Sequence, residues 1–148
     1  GAEYFHRQLG EILYRDCGVA RNKEDLARGI EEIRELRKAF WSDLFIPGEP
    51  NEMNQQLEYA NRVADYIDLG ELMCVDALDR DESCGAHYRD DHISEDGEAE
   101  RDDANWCFVS AWERGNNGPA WDLSGHEFIR HAEPLTFEAV PLMTRNYK

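Results

Sequence analysis

The chain has 148 residues, 41% hydrophobic and 11% aromatic, which is enough for one domain with its own core and argues against disorder. Its 32 acidic residues against 16 basic ones leave a formal charge of −16, so binding to nucleic acid or to an anionic membrane surface is disfavoured. No run of about 18 apolar residues occurs, so no direct membrane insertion is expected, and no signal peptide is visible in the sequence.

The first half reads as helices. Phe5, Leu9, Ile12, Leu13 and Cys17 recur at helical spacing, and Gly18 is expected to stop that helix in the left-handed conformation. Asn22 is placed to cap a second helix, with Glu24 and Asp25 in its first turn, where the helix dipole favours negative charge. Leu26, Ile30, Ile33, Leu36 or Arg37, Phe40 and Leu44 mark its inner face. A helix over Lys23–Phe45 would run about 34 Å, ended by Ile46-Pro47-Gly48-Glu49-Pro50. Met53, Leu57, Ala60, Ala64 and Ile67 form the stripe of a third helix. Continuing that stripe would bury Glu71, and Asp68-Leu69-Gly70-Glu71 has the form of a capping box. A break near Asp68 is therefore expected, with a further segment from Leu69 to about Glu82 carrying Leu72, Met73, Val75, Ala77 and Leu78 inward.

The character changes after Ser83. Residues 81–103 are dominated by acidic side chains, with Arg89 and Arg101 the only lysine or arginine among them, and read as a solvated surface excursion in which Tyr88 and Ile93 alone have much to bury. Trp106–Trp112 is aromatic and strand-like, and Gly115-Asn116-Asn117-Gly118-Pro119 is a turn signal. A hairpin over Trp106–Phe128 is expected, with His126–His131 and Leu135–Val140 as further extended segments broken by Pro134 and Pro141. The fold class that follows is mainly all-α: a three-helix, spectrin-repeat-like bundle over 1–82, its third helix broken near Asp68. Residues 83–148 supply a turn, an acidic loop and an extended, hairpin-containing tail of the same domain.

Candidate chemistry is sparse. Cys17, Cys74, Cys84 and Cys107 show neither paired spacing nor a disulfide framework, and read as buried or incidental thiols on the cytosolic side. An EF-hand alignment on Gly97 fails at both ends, with His92 first and Asp103 last. His87 with His92, and His126 with His131, lack the spacing of a metal pair. Ser83, Cys84 and His87 lie close in sequence, yet no nucleophile elbow or orienting acid accompanies them. No glycine-rich loop for a nucleotide or dinucleotide phosphate is present. No catalytic, cofactor-binding or metal-binding residue is therefore assigned.

The most informative stretch is Ala77–Asp91, where Glu82-Ser83-Cys84-Gly85-Ala86-His87-Tyr88-Arg89-Asp90-Asp91 resembles a signature that usually runs Glu-Ser-Arg-Gly-x-His-x-Arg-x-Asp. Arg101-Asp102-Asp103-Ala104-Asn105-Trp106 is similar to a second motif, Arg-Asp-Asp-x-x-Trp, after a longer spacer than usual. Gly18–Asn22, Ile33–Leu36, Leu57–Asn61 and Thr144–Tyr147 match in order around them. Together they resemble the C-terminal domain of the flavoprotein subunit of succinate dehydrogenase and fumarate reductase. Cys84 departs from the pattern, standing where arginine is usual, with Arg80 or Arg89 available to substitute.

The resemblance implies a parent subunit that interconverts succinate and fumarate through FAD and passes electrons to an iron–sulfur subunit and a membrane quinone. It implies that the FAD-binding and capping domains of the same subunit are this domain's neighbours, and that the complex lies on the cytoplasmic, inner face of the cell membrane. It implies a structural, interdomain role for Glu82, Ser83, Gly85, His87, Arg89, Asp91, Arg101, Asp102, Asp103 and Trp106, with Gly85 at a helix end. The alternative is an independent acidic helical protein-interaction module; a metal-binding module stands third.

Overall fold

The computed structural model describes residues 1–115, 118–119, 121–123 and 127–143. The chain divides into two compact units, Gly1–Asp102 and Asp103–Lys148.

In the first unit α1 spans Ala2–Asp16 and buries Phe5, Leu9 and Ile12 along one stripe. Gly18 follows it without a positive φ, so the expected left-handed stop does not form. Glycine is needed there for another reason: a Cβ would sit 2.6 Å from the Tyr14 carbonyl oxygen. A two-residue strand, β1 (Ala20–Arg21), leads into α2 (Lys23–Asp43). Asn22 caps α2 as expected, its side chain accepting from the Asp25 N–H at 2.9 Å. The helix ends at Asp43 because Leu44 already has extended backbone, so Phe45 lies outside it and is exposed.

The third helix corrects the sequence reading. It is unbroken, α3 running Gln55–Asp79, with Asn54 accepting from the N–H groups of Gln56 and Leu57. Met53 therefore precedes the helix and is exposed. Asp68 is mid-helix and accepts from Arg37 Nε at 3.0 Å rather than capping anything. Glu71 does turn inward, to 1% exposure, because two cations meet it there: Arg34 Nε at 2.8 Å and Arg37 Nη1 at 2.5 Å. A buried carboxylate so paired keeps the helical stripe intact, and Ala60, Val63, Ile67, Cys74 and Ala77 complete it. Met73, expected inside, is exposed, and its neighbour Cys74 takes the core position.

The three helices pack mutually around one core, α1 and α3 running in the same direction and α2 against them. Two polar details tighten the bundle. The carboxylate of Asp16, at the end of α1, is buried between Arg15 and Arg28, and Gly29 of α2 lets Asp16 approach to 3.0 Å of where a Cβ would stand.

Beyond α3, β2 (Tyr88–Arg89) pairs in parallel with β1, Ala20 opposite Tyr88 and Arg21 opposite Arg89. The acidic excursion is not a loose loop: Ile93 bridges Ala99 across a turn with Gly97 at φ 79°, and the Ser83 N–H donates to the Glu100 carbonyl at 2.8 Å. Ile93 itself is exposed.

The second unit opens with α4, a single turn at Asp103–Trp106. The antiparallel hairpin joins β3 (Phe108–Arg114) to β4 (Phe128–Pro134), Phe108 opposite Pro134 and Arg114 opposite Phe128. Its return strand thus begins at Phe128, where the sequence reading ended the hairpin. Pro134 ends β4 as expected, but the described residues of Leu135–Val140 form no strand. Arg130 lies over the Trp106 and Phe108 rings, 5.6 and 5.0 Å from their centroids. The expected turn at Asn116-Asn117, the strand start at His126 and the Thr144–Tyr147 ending lie outside the described residues.

Candidate functional site

Arg89 is the centre of the signature and is almost wholly buried, at 1% exposure. Its fork grips the Asp91 carboxylate twice, Nε to Oδ1 and Nη2 to Oδ2, both at 2.7 Å. The remaining nitrogen, Nη1, turns to the end of α3 and meets the carbonyl oxygens of Ala77 at 3.2 Å and Leu78 at 3.4 Å. These carbonyls have no partner within the helix and lie at the negative end of its dipole. Asp91 in turn accepts from the backbone N–H of Lys23 at 3.0 Å, the first residue of α2 and the positive end of that helix. One arginine–aspartate pair therefore clamps the C-terminus of α3 to the N-terminus of α2, each partner complementing the dipole it faces. The hydrogen bonds from Arg89 hold the Asp91 carboxyl down to about 2.

His87 fastens the same corner to the link between α1 and α2. Its Nδ1 is 3.0 Å from Arg21 Nη1, and its Nε2 is 2.9 Å from the Arg80 carbonyl oxygen. Arginine can only donate and a carbonyl only accept, so the ring is neutral with its proton on Nε2. Burial lowers its pKa, and the charges of Arg21, Arg89 and Arg80 act in the same direction. Arg21 is itself steadied by donating Nε to the Gly18 carbonyl.

The other signature residues complete this corner. Ser83 Oγ receives the Arg89 N–H at 2.8 Å and donates to the Arg89 carbonyl at 3.0 Å. Glu82 accepts from Arg80 Nη1 at 2.8 Å and from the Asp102 N–H at 2.9 Å, tying the second motif to the first. Gly85 has φ 61° but does not end a helix: α3 has stopped at Asp79, and Gly85 turns the chain between Cys84 and His87, whose backbone groups exchange two hydrogen bonds. Arg80 pairs with Glu82 and Arg89 with Asp91, while Cys84 is exposed. Asp103 and Trp106 open and close α4 in the second unit, and Arg101 precedes the boundary.

Sequence reasoning missed Arg21 and the Lys23 N–H as partners of this corner, because only the pairing of β1 with β2 brings them there. Ser83, Cys84 and His87 are near one another without forming a nucleophile–base pair. Ser83 bonds the Arg89 backbone, and both ring nitrogens of His87 are engaged elsewhere. His92 meets Asp81 at 2.8 Å, and among the described residues no group of three or more metal-ligating side chains gathers.

The chain matches the family model described as fumarate reductase flavoprotein C-term over residues 6–147. It belongs to that family. The Proteus vulgaris fumarate reductase flavoprotein subunit is 32% identical over 99 residues, covering 67% of this chain and 16% of the relative. The Bacillus subtilis succinate dehydrogenase flavoprotein subunit is 28% identical over 105 residues, covering 71% and 17%. The chain thus spans about a sixth of the length of these curated relatives. An E. coli quinol fumarate reductase superposes with a TM-score of 0.80 at 22% identity over 97% of this chain and 22% of its own. A Mycobacterium smegmatis structure named Sdh1 gives 0.73 at 20% identity over 91% and 20%. These two likenesses bear on the fold, which they share with this mainly helical domain. In the terms of that family, the chain is a C-terminal domain of the fumarate reductase/succinate dehydrogenase flavoprotein subunit.

Proposed function

We propose that this domain is a structural part of a FAD-dependent subunit that interconverts succinate and fumarate, and that its signature holds the helical bundle in the form on which the FAD-binding and capping domains pack. The observation that carries this is the clamp itself. The groups that an anionic substrate or a phosphate would need, the Arg89 fork and the first N–H of α2, are already taken by Asp91 within the domain. No cofactor-binding role and no catalytic step are assigned to these residues. The family relation supports an iron–sulfur subunit as electron partner and a peripheral position on the inner face of the cell membrane. No helix among the described residues is long and apolar enough to cross a membrane.

Two preparations test the proposal. The 148-residue chain purified alone is expected to be colourless and unable to oxidise succinate with an artificial electron acceptor. The full-length protein that carries it is expected to be yellow and active. A flavin-bearing active fragment, or a full-length protein that neither binds flavin nor acts on succinate or fumarate, would overturn it. The rival reading, a free-standing acidic interaction module, predicts the second of those results.

A further inference from the structure

Two thiols outside the clamp are placed for chemistry that the domain's structural role does not use. Because α1 and α3 run in the same direction, equivalent turns face each other: Tyr59 donates to Glu3 at 2.8 Å, and Gly70 packs where a Cβ would be 3.0 Å from Leu9 Cδ1 and 3.3 Å from Leu13 Cδ1. One turn further along each helix stand Cys17, which caps α1, and Cys74 of α3. Both are free and belong to the buried core. That register sets the two thiols side by side, and the interaction with Cys74, together with nearby Arg21, lowers Cys17 to about 7 against the opposing effect of burial. Cys74 is pushed up, first by its hydrogen bond to Cys17, then by its burial and by the negative charge on Cys17. The carboxylates of Asp16 and Asp76 also act on Cys17, raising it.

We infer that Cys17 and Cys74 form a redox-responsive pair, closed to a disulfide by a hydroperoxide. The Cys17 thiolate attacks one oxygen of the peroxide, forming an S–O bond as the O–O bond breaks; the departing oxygen leaves as water or alcohol after taking a proton. The Cys74 sulfur then attacks the Cys17 sulfur, forming S–S and breaking S–O, and the released hydroxide leaves as water with the Cys74 proton. Two thiols lose two electrons in all, and the hydroperoxide gains them. The product pins the turn that begins at Cys17, within which the Gly18 carbonyl holds Arg21 for His87, so oxidation reaches the signature corner through α1.

The test treats the full-length protein with hydrogen peroxide under native conditions, blocks remaining thiols in denaturant and maps tryptic peptides. The expected product joins Asp16–Arg21 to Val63–Arg80, two hydrogens lighter than the separate peptides, and reduction regenerates both. It should persist in Cys84→Ser and disappear in Cys17→Ser. Recovery of Cys17 and Cys74 as separately alkylated thiols, or a cross-link to Cys84 or Cys107 in their place, would overturn the inference. The wild-type map decides this without depending on any variant's ability to fold.

Discussion

At the residue scale, Arg89 contributes more than a surface ion pair because its charge is buried and its partners are backbone groups as well as Asp91. Removing it leaves the C-terminal carbonyls of α3 without this donor, and Asp91 with the Lys23 N–H but no cation from the fork. Arg89→Ala is therefore expected to cost about 3–5 kcal/mol, read as a lowered midpoint in urea unfolding. Arg89→Lys keeps the charge but loses the fork, and should recover only part of that. His87 adds a pH dependence whose sign follows from its neutrality. Its folded pKa lies below the ordinary histidine value, so the unfolded chain binds a proton more readily as pH falls. The stability His87 supplies is therefore complete above about pH 6.5 and declines as the pH drops below it. Asp91 acts in a lower window, its contribution present above the ordinary carboxylate range and lost as pH falls toward about 2. Thermal midpoints at pH 7.5 and 5.5 should fall further apart in wild type than in His87→Gln; equal differences would remove the histidine assignment. His87, Arg89 and Asp91 could be singled out in the sequence as structural residues through the motif they belong to. Their true partners could not, because Arg21 and the Lys23 N–H arrive through a strand pairing between distant segments.

At the element scale, the helices were legible wherever a local signal and a buried stripe agreed. Asn22 with its acidic first turn announced α2, and Asn22→Ala should cost about 1 kcal/mol in the same unfolding measurement. α3 shows the opposite case. Asp68-Leu69-Gly70-Glu71 has a cap's pattern, and a buried glutamate looks forbidden until its cations are known. Arg34 and Arg37 stand on another helix, one turn apart, and nothing local to α3 reveals them. Glu71→Ala is expected to destabilise by about 3–5 kcal/mol, because the buried Arg37 loses its buried partner and keeps only the bond to the part-exposed Asp68. A double-mutant cycle of Glu71→Ala with Arg37→Ala should show strong coupling, and additive effects would contradict the pairing. Arg37 adds to Glu71 a bond to Asp68, so the residue expected to cap a new helix helps hold one helix against its neighbour.

At the scale of the whole molecule, fold class and family membership were readable from the order of short motifs spread over nearly the entire chain, while the acidic excursion and the tail were read less well. The excursion carries too few apolar residues to signal the backbone hydrogen bonds that return it to Ser83, and the β4 boundaries rest on cross-strand pairing rather than on alternation, since its side chains are almost all exposed. The central claim is that the signature supports the domain and does not take part in the reaction. It is tested most directly by turnover per bound flavin in the full-length protein carrying His87→Ala or Arg89→Ala. The expected result is less bound flavin and lower stability, with the turnover of the remaining flavin-loaded enzyme unchanged. Normal flavin content and stability with a loss of turnover per flavin would contradict it, placing the signature in the chemistry.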